Sequence, residues 1–103
     1  MTIEKRLSKR IEVNLKMKVL RRGEEVTSGT IRDLNIDGMA MRLDGDPLTK
    51  GSMVEVIFQS AGRVWCLPAL VIYSNRRYCG VMFADAQREL YERTRDEESS
   101  DLD

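Results

Sequence analysis

From Ile11 the chain alternates. Ile11, Val13, Leu15, Met17 and Val19 are apolar, and Glu12, Asn14, Lys16 and Lys18 stand between them. A period of two places one set of side chains on one face, so this stretch reads as a strand with one buried side. Arg21-Arg22-Gly23-Glu24-Glu25 interrupts it as a turn, with Gly23 supplying the permissive backbone. Val26 to Leu34, rich in Thr, Ile and Val, predicts a second strand, and Asn35-Ile36-Asp37-Gly38 a tight turn. Met39 to Leu43 is a short third strand, and Asp44-Gly45-Asp46-Pro47 is a loop by composition. Met53 to Gln59 follows with Val54, Val56 and Phe58 on one face, and Ser60 to Arg63 turns the chain again. Val64 to Tyr73 is the most apolar strand; Pro68 inside it suggests an edge or a bulge. Tyr78 to Ala84 is the sixth.

Six short strands with turns at this spacing argue for a small antiparallel barrel or sandwich. The last element has another period. Ala86, Leu90 and Tyr91 fall at helical spacing behind Asp85, a good N-cap, and Glu89–Arg93 is a favourable i,i+4 pair. A helix is therefore expected from about Ala86 to Glu97. The expected organisation is a flexible basic arm over 1–10, a barrel with its helix over 11–98, and an acidic tail over 99–103.

Composition narrows what such a chain does. Its 103 residues suit one domain. With no His there is no Ser-His-Asp triad, no Cys-His nucleophile and no His-ligated zinc. Two cysteines, Cys66 and Cys79, make neither a four-thiolate metal site nor a disulfide framework, and are expected as small buried apolar residues. No apolar leader opens the chain, and the ten-residue apolar run from Val64 to Tyr73 is too short to span a membrane, so a cytoplasmic location is expected. The 17 basic and 17 acidic residues cancel, but unevenly. Residues 1–22 carry +6, residues 23–83 carry −1 and residues 84–103 carry −5. The basic head is either a solvated end or the contact for an anion.

Two segments offer chemistry. In Arg6-Leu7-Ser8-Lys9-Arg10, two arginines stand four apart, and the planar guanidinium fork binds phosphate oxygens or the guanine O6 and N7 in pairs. In Asp33-Leu34-Asn35-Ile36-Asp37-Gly38, strand alternation puts Asp33 and Asn35 on one face. The Asp33 carboxylate can accept the N1–H and N2–H of a guanine edge, Asn35 can donate and accept, and Gly38 allows positive φ or close approach. The alternative reading of this segment is an ordinary Asp/Asn-Gly hairpin turn.

In this order, about 23 residues apart, the two segments resemble the marks of the PilZ domain family. Those marks are an RxxxR segment before the first barrel strand and a D/N-x-S-x-x-G segment between the second and third. Arg6 and Arg10 match the first; Asp33 and Gly38 match the second, with Asn35 where the family usually has Ser. Gly80-Val81-Met82-Phe83 resembles the G-x-x-F that closes the last barrel strand before a helix, so the resemblance runs from about Lys5 to Glu97.

The resemblance implies a six-stranded antiparallel barrel with a C-terminal helix that binds cyclic di-GMP and is not an enzyme. Arg6 and Arg10 would then clamp the ligand from the arm that also carries Lys5 and Lys9. Asp33 would read a guanine with Asn35 beside it, and Gly38 would permit close approach. Tyr73 is either a stacking aromatic or a plain barrel-wall tyrosine. No metal or cofactor is implied beyond the ligand. The implied partner is a downstream effector protein, signalled by ordering of the arm, with no membrane and no nucleic acid. Two rival classes remain: a PilZ-like interaction module that ignores the nucleotide, and a small nucleic-acid-binding barrel. The second would interleave several aromatics with basic residues on one face, and this chain has six aromatics in all.

Overall fold

The structure, a computed structural model, describes residues 9–101, with side chains described as far as Glu97. It contains β1 (Ile11–Arg21), β2 (Glu24–Leu34), β3 (Gly38–Leu43), β4 (Met53–Ser60), β5 (Arg63–Ser74), β6 (Tyr78–Phe83) and α1 (Arg88–Asp101). The strands close into a barrel in the order β1-β2-β3-β6-β5-β4, with every pair antiparallel. Alternation supplies the core: Val19, Ile31, Met41, Val56, Val71 and Val81 are fully buried and point inward from the six strands in turn. This six-stranded interior is filled by its own side chains and leaves the outer wall for function.

Two hairpins close through consecutive residues with positive φ, Arg22-Gly23 and Ala61-Gly62. That backbone matches the right-handed twist of the flanking strands. The other two tight connections are twins. Asn35 Oδ1 accepts from the amides of Asp37 and Gly38, and Asn75 Oδ1 accepts from those of Arg77 and Tyr78. In each, the asparagine amide donates across the turn, to the Gly38 carbonyl and the Tyr78 carbonyl respectively.

Helix α1 covers one mouth of the barrel. Leu90, Tyr91 and Thr94 are buried there, and Thr94 Oγ1 lies 3.5 Å from Ser60 Oγ at the end of β4. Arg63, at the start of β5, donates to Glu89, which also accepts from Arg93. The helix begins at Arg88 and not at Ala86, and Asp85 is not its N-cap. The backbone N–H of Gln87 is held by the Ile36 carbonyl and its side-chain amide donates to the Asp85 carbonyl, so residues 85–87 are tied to the β2–β3 turn before the helix starts. At its other end the helix runs on to Asp101, past the expected end at Glu97.

Two further expectations change. Pro68 lies in a closed barrel and not at an edge: it pairs with Glu55 of β4, while its carbonyl accepts from Ala84, just beyond the end of β6. A ladder donor is unnecessary on that side because β6 has already run out. The irregularity in β5 falls instead between Val71 and Tyr73. Cys79 is buried as expected, but Cys66 is exposed, because it alternates outward between inward-facing Trp65 and Leu67.

Candidate functional site

Strict alternation would turn both Asp33 and Tyr73 into the core. Thr27, Gly29 and Ile31 point inward on β2, and Trp65, Leu67, Ala69 and Val71 do so on β5, so the next inward positions are 33 and 73. In each strand the register slips just before that position, between Ile31 and Asp33 and between Val71 and Tyr73. A bulge adds one residue and re-aims the side chain that follows. Leu34 thereby takes the buried position, and both Asp33 and Tyr73 reach the outer wall.

On that wall they share one row. Asp33 pairs with Ala40 of β3, Ala40 with Gly80 of β6, and Gly80 with Tyr73 of β5. The Tyr73 ring lies back over Gly80, so closely that a Cβ there would come within 2.1 Å of its Cε2. The ring is 46% exposed. The result is a carboxylate at one end, a floor of small residues, and an aromatic at the other, about 14 Å away along a row of strands about 4.8 Å apart. Sequence reasoning missed Ala40 and Gly80 as the floor, because smallness at registered positions becomes meaningful only once the pairing is known.

Arg10 closes the first end. Its Nη1 donates to Asp33 Oδ1 at 2.5 Å, with the two side chains 54% and 26% exposed. The Lys9 amide donates to the Tyr91 hydroxyl at 3.2 Å, so the residues just before β1 rest against α1. The acidic helix, distant in sequence from the basic head, is thus its immediate neighbour. The Lys9 side chain is exposed. Arg6 and Lys5 lie outside the described residues.

Asn35 and Gly38 form the β2–β3 turn, the alternative reading of this segment. Both hydrogen bonds on Asn35 Oδ1 are spent on the turn, which leaves its Nδ2 hydrogens for a ligand. Gly38 is buried and does not have positive φ; a Cβ there would sit 2.2 Å from the Val81 carbonyl oxygen. It is glycine because the β6 backbone crosses so near. Asp37 belongs to the same turn, its carbonyl accepting from Phe83. Beside the row, a depression of about 310 Å³ is lined by Val13, Asn14, Thr30, Arg32 and Arg42, which adds guanidinium groups to the wall. Among the described residues, no cluster of His, Cys, Asp or Glu could hold a metal ion, and no helix is long and apolar enough to cross a membrane.

A barrel wall with a basic segment entering above a bulged Asp strand defines a binding module more than a catalytic one. The comparisons agree on its class. The PilZ domain model matches residues 4–96, and the chain belongs to the PilZ domain family. No curated protein matches the sequence. Among solved structures, it is similar to the PilZ domain of YcgR from Escherichia coli with c-di-GMP (TM-score 0.67, 14% identity, covering 93% of this chain and 95% of that one). It is also similar to the Bacillus subtilis inhibitor of motility, MotI/DgrA (TM-score 0.68, 15% identity, 91% of this chain). This chain spans about half, 51%, of that protein. At these identities the likeness is one of fold.

Proposed function

We propose that the protein is a receptor for cyclic di-GMP that carries its signal to an effector protein by ordering the arm over the barrel wall. The observation that carries this reading is the registered row from the Arg10–Asp33 pair across Ala40 and Gly80 to Tyr73. Cyclic di-GMP is a dianion with two guanines, and each part of the row suits one need. Arg10, with Arg6 and the nearby Lys5 and Lys9, supplies positive charge for phosphate and guanine. Asp33 accepts from a guanine edge, and Asn35 Nδ2 donates beside it. A base lying over Ala40 meets the Tyr73 ring that covers Gly80, and such stacking contributes about 1–3 kcal/mol per base. The YcgR domain similar to this chain was solved with the same ligand.

A ligand lying on the outer wall is covered by the barrel on one side only. The arm supplies the other. Its ordering costs conformational entropy and changes the surface shown to a partner, which is how a non-catalytic module can signal. Isothermal calorimetry with cyclic di-GMP tests the reading. Saturable binding with a fitted stoichiometry of one or two is expected, with GTP far weaker. No heat at about 50 µM ligand, a level at which a receptor with Kd near 1 µM is saturated, overturns it.

A further inference from the structure

The β5–β6 turn repeats the asparagine-held geometry of the β2–β3 turn, but it closes the opposite end of the barrel, away from α1. Its two central residues are Arg76 and Arg77. The backbone here is held on both sides. The Arg77 amide donates to Asn75 Oδ1, and the Arg77 carbonyl accepts from the Leu43 amide at 2.7 Å, which ties the turn to the end of β3. Beyond Leu43, the Asp44 amide donates to the Ser28 carbonyl, and Gly45 lies so near Thr27 that a Cβ there would sit 2.9 Å from its Oγ1. Between these two pinned segments is a hollow of about 530 Å³, lined by Arg42, Arg76 and Arg77 and by Asp44, Gly45 and Pro47. That volume is ordinary for a small-molecule site.

Three guanidinium groups border this hollow with a single carboxylate. Asp44 stands 3.9 Å from Arg42 with both side chains half exposed, and a contact of that kind contributes little. Arg76 and Arg77 have no ion pair among the described residues. Asp46, the next acidic residue, lines a separate hollow with Glu25. The balance is +3 against −1, in a chain of zero net charge. Like charges gathered in this way repel one another in the free protein, and a bound anion relieves that repulsion. Phosphate is the anion that guanidinium suits best, because its fork donates two parallel hydrogen bonds to a pair of oxygens.

We propose that this hollow is a second ligand site, apart from the row at Asp33, and that it takes the diphosphate group of a nucleoside diphosphate. A diphosphate concentrates its charge on two adjacent phosphates, whereas cyclic di-GMP separates its two across a ring. Arg42, Arg76 and Arg77 bind the phosphate oxygens. The Asp44 carboxylate accepts from a sugar hydroxyl, which inorganic pyrophosphate lacks. Arg42 also borders the hollow beside the row, but Arg76 and Arg77 do not, so substitutions in the turn read this site and not the other.

NMR titration of the isotope-labelled 103-residue chain with ADP tests this, in about 10 mM salt, where exposed charges are little screened. Saturable shifts are expected at the amides of 42–47 and 75–78 and at the Nε–H signals of Arg42, Arg76 and Arg77, with Kd below about 1 mM. Arg76→Gln and Arg77→Gln, both at exposed positions, should each weaken binding at least about tenfold, the loss of a charge-assisted hydrogen bond. Arg21→Gln removes the same charge from the turn after β1, at the same end of the barrel, and should change it less than about twofold. Asp44→Asn should tighten pyrophosphate, by removing the opposing charge, and weaken ADP relative to pyrophosphate. No saturable shift by about 10 mM ADP overturns the proposal, as does an Arg77→Gln variant no weaker than Arg21→Gln. An Asp44→Asn variant that treats ADP and pyrophosphate alike overturns the sugar contact and with it the nucleoside. Displacement of ADP from these signals by cyclic di-GMP overturns the separation of the two sites. If cyclic di-GMP binds nowhere, the earlier reading falls and the ADP titration still decides this one.

Discussion

Replacing Arg10 with alanine separates what this residue does for the fold from what it does for a ligand. In the free protein its guanidinium reaches Asp33 at 2.5 Å, but the two side chains are 54% and 26% exposed. A pair so placed contributes about 0.2–1 kcal/mol, and for a domain of this size 1 kcal/mol moves Tm by about 4–8 °C. The thermal cost of Arg10→Ala is therefore at most about 8 °C. On the nucleotide reading, its contact to the ligand would be a charge-assisted hydrogen bond, worth about 1.5–3 kcal/mol. Drawing Arg10 from Asp33 offsets up to about 1 kcal/mol of that, so the net loss is about 0.5–3 kcal/mol, or roughly 2- to 150-fold in Kd. Calorimetry with cyclic di-GMP reads the affinity, and a thermal melt reads the fold. Asp33→Asn and the double variant complete a cycle, in which residues sharing one ligand should couple by more than about 0.5 kcal/mol. A loss below about twofold, or a melt lowered by well over 8 °C, refutes the reasoning.

Alanine at the two wall glycines should act in opposite ways. Gly38→Ala drives a Cβ to 2.2 Å from a carbonyl of β6 and should cost about 1–3 kcal/mol of stability by chemical denaturation, whereas Gly80→Ala meets only the movable Tyr73 ring and should weaken ligand binding with little change in stability. Equal destabilisation by the two would contradict this account. Asn35→Ser, which shortens the side chain that caps the turn, should keep one of its two amide contacts and cost about 1 kcal/mol, read in the same denaturation assay. The thiols should differ in reactivity: Cys66 is exposed and should label in the native protein at pH 8, while Cys79 should not. Burial raises Cys79 from 9.0 to about 11, favouring the neutral thiol in the fold. The stability this residue contributes should therefore be complete below pH 9 and fall as pH rises toward 11, in urea titrations at stepped pH.

The strands were legible because period-two alternation is local, and each one forms where its apolar positions recur. The barrel's cap was legible in kind but misplaced at its start, since the Gln87 amide is claimed by the Ile36 carbonyl, a contact some fifty residues away in sequence. Asp33 was singled out from its motif, but the reason it faces solvent is a bulge that pairing with β3 imposes. Tyr73 shows the same limit more sharply. Alternation alone points it inward, and only the slip against β6 brings it out over Gly80. Gly38 allows positive φ or close approach; its φ is not positive, and the close approach it makes is to the Val81 carbonyl, which no local pattern contains. Asn75 repeats the turn of Asn35 without the flanking motif, and so drew no notice.

On the nucleotide reading, the spacing of the two arginines in the sequence suits this geometry. A six-stranded barrel filled by its own core has no interior to offer, so any ligand lies on the wall and needs a second surface above it. The chain reaches the wall at Lys9 and Arg10, fixed by the Tyr91 hydroxyl below and by Asp33 beside it. From there, four residues span at most about 14 Å, since a chain extends at most about 3.6 Å per residue. Whatever path the backbone takes, the Arg6 Cα stays within that distance of the Arg10 Cα, about the length of the row from Asp33 to Tyr73. On the nucleotide reading, this reach suits a second guanidinium that contacts the aromatic end while Arg10 holds the carboxylate end. That match of lengths, with the charge gathered in the head, would let a chain of zero net charge present a local site for a dianion.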